Sequence, residues 1–273
     1  LGNGDFGLIY GGPGGGKSWM LVALGAFAAR LGYNVLHYTL ELSEDYVGLR
    51  YDAHFTGINV ADIKRHKKEV EEIVSQIPGK VIIKEYPTGR VNLSTIEAHI
   101  EQCKSFGFEP ELIIIDYLDL LKGKKKSIDK KAEIDDIYLG AKGLAKTLNL
   151  PLWSVSQVNR AGAQDNIIEG DKAAGSYDKQ MITDFSASLS RKRKDKVDGT
   201  GRFHIMKNRY GPDGLSYSSK IDTSCGNFEL FEYTDEDEEN TPSESKPKQW
   251  TNEIDIDDKE VLRKKFFELK NKI

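Results

Sequence analysis

Up to Gln157 the chain alternates short, almost uninterrupted apolar runs with longer stretches in which apolar residues recur every three or four positions. The first pattern predicts buried strands, the second helices packed by one face. Strands are expected at 6–10, 34–40, 81–86, 112–116 and 151–156. Helices are expected at 19–30, 43–55, 62–77, 93–106 and 132–148, the fourth capped near Asn92 or Ser94. Leu112-Ile113-Ile114-Ile115 has no polar alternation, which predicts a strand covered on both faces. Regular alternation of strand and helix gives an α/β fold class, a mostly parallel sheet flanked by helices.

Beyond Gln157 the pattern changes. Residues 159–179 are polar and contain glycine, and a long loop of this kind inside a compact domain is a carrier of function. Strands are expected at 182–190, 202–208 and 215–221, with Gly211-Pro212-Asp213-Gly214 as the turn of a hairpin between the last two. The parallel core, body 1–233, therefore gains an antiparallel C-terminal hairpin extension. Residues 234–257 are rich in Asp, Glu, Ser and Pro and read as an acidic flexible linker. Val261, Leu262, Phe266, Phe267 and Leu269 then fall on one amphipathic helix within 258–273.

Composition narrows the class. With 273 residues, 38% hydrophobic and 30% charged, the chain reads as a soluble protein, and its longest apolar run is too short to cross a bilayer. The amino terminus has no basic region leading into an apolar stretch, and it opens without Met almost on a core strand, as expected of part of a longer protein. Cys103 and Cys225 each stand alone without metal-ligand spacing, which points to a reducing cytoplasm rather than to disulfides or zinc. Residues 231–273 hold 13 acidic and 8 basic side chains, so the net charge of -4 leaves residues 1–230 at +1. Contact with nucleic acid must then come from local basic clusters and not from bulk charge.

The chemistry is concentrated in Gly11-Gly12-Pro13-Gly14-Gly15-Gly16-Lys17-Ser18, which follows the first strand and opens the first helix. Glycines let successive backbone N–H groups converge on phosphate oxygens, and the helix N-terminus adds positive potential. Lys17 is expected to reach the β- and γ-phosphates of ATP or another nucleoside triphosphate, and the Ser18 hydroxyl to ligate Mg²⁺. Asp116 ends its strand at the edge where open α/β sheets bind ligands, suited to a water-mediated Mg²⁺ contact. Glu41 ends another strand at the same edge, where it orients or deprotonates the attacking water. Gln157 follows a third strand and is a candidate γ-phosphate sensor.

The order of the phosphate loop, Leu-Glu-Leu-Ser at 40–43, Ile-Asp-Tyr at 115–117, Ser-Gln-Val-Asn-Arg at 156–160 and Lys-Asn-Arg-Tyr-Gly at 207–211 resembles the motor domain of DnaB-type hexameric replicative helicases, on a RecA-like P-loop fold. Arg50-Tyr51-Asp52-Ala53, Tyr86-Pro87-Thr88-Gly89 and Arg209-Tyr210-Gly211 are similar to the branch of that family found in T-even bacteriophages. The resemblance covers roughly 5–232. It implies that Glu41 is the catalytic glutamate, Asp116 the Mg²⁺ aspartate and Gln157 the γ-phosphate sensor. Trp19 and Arg50 join the cofactor-binding set, and Lys207 and Arg209 are the pair that one subunit inserts into its neighbour's site. It further implies a ring hexamer on single-stranded DNA, 5′ to 3′ movement, and a primase and a helicase loader as partners, with no membrane, in the cytoplasm of a host cell if the source is viral.

The resemblance also implies that two segments face DNA. One carries Lys122, Lys124, Lys125, Lys126, Lys130 and Lys131; the other offers Arg160, Lys172 and Lys179 with a single aromatic, Tyr177. Phosphate contact is favoured there over base stacking. Lys172-Ala173-Ala174-Gly175 stands where many DnaB-type proteins have Arg-Glu-Ser-Gly. The cluster Arg191 to Lys194 reads as surface. A RecA-type recombinase shares the loop and fold, but the motifs at 156–160 and 207–211 fit helicases better. A nucleotide-dependent scaffold acting through the acidic tail is the non-catalytic alternative.

Overall fold

The apolar runs assemble as strands of one nine-stranded sheet, ordered β3-β2-β4-β5-β1-β6-β7-β8-β9. In the computed structural model, which describes residues 1–123, 130–158, 167–168 and 176–232, these are β1 (Phe6–Gly11), β2 (Val35–Thr39), β3 (Val81–Glu85), β4 (Leu112–Asp116), β5 (Leu152–Gln157), β6 (Phe185–Ser190), β7 (Thr200–Asn208), β8 (Ser216–Asp222) and β9 (Asn227–Glu232). The first six strands in spatial order pair in parallel, and β6 through β9 pair antiparallel. The helices are α1 (Lys17–Arg30), α2 (Glu44–Thr56), α3 (Lys67–Ser75), α4 (Leu93–Ser105), α5 (Lys130–Leu148), α6 (Ser176–Ile182) and α7 (Arg193–Asp198).

Strand alternation divides the core between the two faces of the sheet. Phe6, Leu8 and Tyr10 of β1 join Ile113 and Ile115 of β4 in a cluster with Ile96 and Ile100 of α4 and Tyr138 and Leu144 of α5. Ile9 and Ile114 point the other way, into a cluster with Met20 and Leu21 of α1. Covering both faces is why β4 needs no polar positions, and each buried isoleucine contributes roughly 1.5–3 kcal/mol. Ser43 caps α2 by accepting from Tyr46 N at 3.3 Å, and Asn92 caps α4 by accepting from Thr95 N at 3.1 Å.

The structure departs from the sequence reading in four places. The expected helix over 62–77 is a short 3-10 turn at Ile63–Arg65 followed by α3. The loop expected to run to Lys179 already contains α6 from Ser176 onward, and the strand expected from residue 182 starts at Phe185. The extension is larger than one hairpin, because β9 pairs with β8. A short helix, α7, stands between β6 and β7. The chain divides into units 1–233 and 234–273, and the acidic segment and terminal helix expected in the second lie outside the described residues.

At Gly25 of α1 the side chain of Tyr51 from α2 comes close to the helix backbone. A Cβ there would overlap the Tyr51 hydroxyl and stand 3.1 Å from Ile114 Cδ1. Tyr51 is buried and shares a hydrogen bond with His37 Nδ1 at 2.9 Å, so it has little room to yield. Gly25→Ala is expected to lower stability by about 1–3 kcal/mol, read as a drop in the urea midpoint. An unchanged midpoint would mean that Tyr51 moves aside freely.

Candidate functional site

The turn between β1 and α1 is held by glycine conformations that other residues adopt only with strain. Gly14 and Gly16 have φ of 65° and 95°, and a Cβ on Gly15 would stand 2.9 Å from Gly12 O. Gly15 N donates to Gly12 O at 3.1 Å, curling the loop back on itself. α1 opens at Gly16 with no side-chain cap. Its first backbone N–H groups and the positive end of its dipole therefore face the concave side of the loop, the arrangement that binds a polyphosphate.

Parallel register brings the other expected residues to this edge. Gly11 lies beside Gln157 of β5 and Leu189 of β6, and Asp116 lies beside Thr39 of β2, two residues before Glu41. Lys17 Nζ donates to Gly11 O and Gly12 O, both at 3.0 Å. Burial lowers its pKa, an effect that the negative fields of Asp116 and Glu41 oppose. Asp116 is 1% exposed, and burial pushes its carboxyl up to about 6 against a hydrogen bond from Ser18. Its Oδ1 is buried with no hydrogen-bond partner.

That orphaned oxygen beside a serine hydroxyl suits a hard divalent cation. Mg²⁺ takes oxygen ligands and is usually held by one or two protein groups, with water and phosphate filling the remaining positions. Ser18 and Asp116 are the residues that would hold it. Among the described residues no group of three or more His, Cys, Asp or Glu gathers around a metal-sized space.

Gln157 Nε2 donates to the Tyr117 hydroxyl at 3.4 Å, which ties the ends of β5 and β4 together. Arg50 lies over the Trp19 ring, 4.7 Å from its centroid, and feels the fields of both Asp116 and Glu41. Its Nε is buried without a partner. Trp19 and Arg50 therefore belong to the same side of the site as Ser18.

Lys207 and Arg209 do not. Arg209 N donates to Asp184 O, and Asp184 N donates to Phe6 O, so Arg209 is level with the amino end of β1. The loop starts five residues further along, about 17 Å away at strand rise. Arg209 Nη1 pairs with Asp184 Oδ1 at 2.7 Å, its own side chain 59% exposed. Lys207 Nζ donates to the carbonyls of Gln180, Met181 and Thr183, closing the carboxyl end of α6.

Of the residues expected at DNA, Lys124, Lys125, Lys126, Arg160 and Lys172 lie outside the described residues. One is corrected. Lys179 is buried, ion-paired to Asp119, hydrogen-bonded to Ser156 Oγ at 3.0 Å and stacked 4.4 Å from the Tyr138 ring. Lys130 and Lys131 begin α5, and Lys131 pairs with Asp178 at 2.8 Å. Arg191 is not surface but buried, donating through Nε to Thr200 O at 3.0 Å.

Two groups that the sequence reading did not connect with the loop lie against it. Lys196 Nζ donates to Pro13 O at 2.9 Å, and Arg191 Nη1 is 3.8 Å from where a Gly16 Cβ would be. Only the pairing of β6 with β1 carries them there, and no local pattern announces it. Asp184 was missed as well: its carboxylate accepts from Phe6 N at 2.8 Å, from Lys142 and from Arg209.

Because Asp116 is held above its unfolded value, the stability it lends is fully present below about pH 4 and lost as pH rises through about 6. Asp116→Asn is therefore expected to stabilise the metal-free chain at pH 7.5 by on the order of 2 kcal/mol in urea unfolding, with no gain at pH 4. An equal gain at both pH values would contradict a strained buried carboxylate.

Residues 1–218 match the family described as the DnaB-like helicase C terminal domain. The DnaB-like replicative helicase of Enterobacteria phage T4 is 24% identical over 241 residues, 84% of this chain and 50% of that protein, so the chain spans half the relative's length. A solved structure described as an ATPase domain aligns with a TM-score of 0.72 at 20% identity, covering 86% of each chain. A DnaB-like replicative helicase, described with its interactions with primase, aligns with a TM-score of 0.71 at 21% identity, covering 83% of this chain and 59% of that one. These structural likenesses carry the RecA-like fold, and with the family match over most of its length the chain belongs to the DnaB-like helicase C-terminal domain family.

Proposed function

We propose that the chain is the ATP-hydrolysing motor of a replicative DNA helicase, working as a ring of subunits that moves along single-stranded DNA and separates duplex. One observation carries this reading. The phosphate loop with Asp116 and Glu41 stands at one end of β1, and Arg209 stands at the other, level with Phe6. A single chain thus holds both halves of a phosphoryl-transfer site too far apart to use together, whereas two copies can combine them. That the phage T4 relative is named a replicative helicase supports the DNA-level reading.

In the assembled site the loop amides and Lys17 would hold the phosphates, and Ser18 and Asp116 would hold Mg²⁺. A cation held there would supply positive charge against the phosphates. Glu41 orients the attacking water and accepts its proton, and Gln157, beside Gly11, reports the γ-phosphate to β5. Trp19 and Arg50 complete the cofactor contacts next to Ser18. Arg209 of the neighbouring subunit, with Lys207, stabilises charge on the transferring phosphoryl group, a contribution of about 10³–10⁵ in rate. Leaving Asp184 does not strand that carboxylate, because Lys142 and Phe6 N still pair with it.

Lys124, Lys125, Lys126, Arg160 and Lys172 would line the channel and follow the sugar-phosphate backbone without reading sequence. Ring hexamer, 5′ to 3′ polarity, a primase, a helicase loader and a cytoplasmic setting belong to the same reading, drawn from the family. Among the described residues no helix is long and apolar enough to cross a membrane.

Glu41→Gln is expected to abolish hydrolysis while ATP binding is retained; turnover at the original rate would remove Glu41 from the mechanism. Arg209→Ala is expected to slow hydrolysis by about 10³-fold or more. Mixing it with Lys17→Ala subunits, which keep Arg209, should restore part of the rate. No recovery at any mixing ratio would contradict donation between subunits. A forked duplex should be unwound and a homologous strand not taken up, the reverse of what a recombinase would do.

A further inference from the structure

Two ammonium groups converge on three consecutive carbonyls at the start of the phosphate loop. Lys17 holds Gly11 O and Gly12 O, and Lys196, from α7 far along the chain, holds Pro13 O at 2.9 Å. Lys196 Nζ would also stand 3.2 Å from a Cβ at Gly14, so it lies against the tip of the loop. Its charge is felt at Lys17, where it disfavours the protonated form. Like charges gathered on neutral carbonyls repel each other, and an anion between them relieves the repulsion.

The position of Lys196 is built and not accidental. α7 follows β6, whose Leu189 is the parallel neighbour of Gly11. Asp195 is buried beside Lys196 and fixes the turn, accepting from Lys192 N at 2.7 Å, Arg202 Nη1 at 2.9 Å and Thr200 Oγ1 at 3.3 Å. Arg191 fastens the approach to α7 through Thr200 O, and Gly199, with φ of 68°, ends it. A flexible lysine is thus presented to the loop from a short helix pinned at both ends.

The loop amides cradle the inner phosphates of a nucleotide, and the loop lysine reaches the terminal ones. Lys196 shares the carbonyl row of Lys17, not the side of Ser18 and Arg50. We propose that Lys196 is a second terminal-phosphate ligand, supplied by the same chain that supplies the cradle, through which the site distinguishes a nucleoside triphosphate from a diphosphate. This rests on the nucleotide reading above. It differs from the contribution of Arg209, because it is present before any neighbour arrives.

The test is equilibrium binding of a non-hydrolysable ATP analogue and of ADP, each with Mg²⁺, to the full chain and its variants. Lys196→Met, which keeps an unbranched apolar stem, is expected to weaken the analogue about tenfold and ADP by no more than about twofold, as loss of one charged hydrogen bond to a terminal phosphate requires. Lys196→Arg should retain most of the discrimination. Retained ADP binding also establishes that the loop is still folded. Equal weakening of both ligands, or no change in either, overturns the proposal. Lys17→Met separates this from the broader reading: it should weaken both ligands severely, and if both bound it normally the cradle itself would be misassigned.

Discussion

β1 is a rigid spacer, and its length governs the rest of the site. All six of its residues are buried, its two edges are paired with β5 and β6, and its side chains enter cores on both faces of the sheet. Such a strand can neither shorten nor bend without losing packing on two sides at once. The phosphate loop leaves one end of it and the Asp184–Arg209 pair sits at the other. Under the proposed mechanism, chemistry that needs both comes from two copies, and the dependence of hydrolysis on assembly follows from a length rather than from a dedicated switch.

The basic residues of this chain show how little charge alone says about role. Lys17 and Lys196 rest on loop carbonyls. Lys142 is committed to the buried Asp184, and Lys179, itself buried, to the half-buried Asp119. Lys207 closes the end of α6 by three carbonyl contacts. Arg209 alone among these keeps an exposed guanidinium on a carboxylate that has other partners. Burial and partner count separate these roles.

The parallel half of the fold was legible because its signals are local. An unbroken Leu112-Ile113-Ile114-Ile115 run, a glycine-rich loop between strand and helix, and a helix cap near Asn92 or Ser94 each declare themselves within a few residues. The antiparallel half was less so. β9 carries half-exposed residues on both faces, which gives no clean period of two, and α7 spans six residues, too few for helical periodicity to register. Lys179 read as a DNA contact because the surrounding sequence is polar, whereas its partners Asp119, just past β4, and Ser156, in β5, arrive by tertiary folding. Lys196 escaped notice for the same reason: 183 residues separate it from Pro13 in sequence, and the β1–β6 pairing closes that gap.

A central claim of this kind is tested most directly by dilution. ATP hydrolysis per subunit would be followed at saturating ATP and Mg²⁺ while protein concentration is lowered through the range in which mass measurements show assemblies giving way to monomers. The account predicts that the rate per subunit collapses as monomers take over, because each cradle loses the arginine of its neighbour. A rate per subunit that stays constant into the fully monomeric range would contradict it.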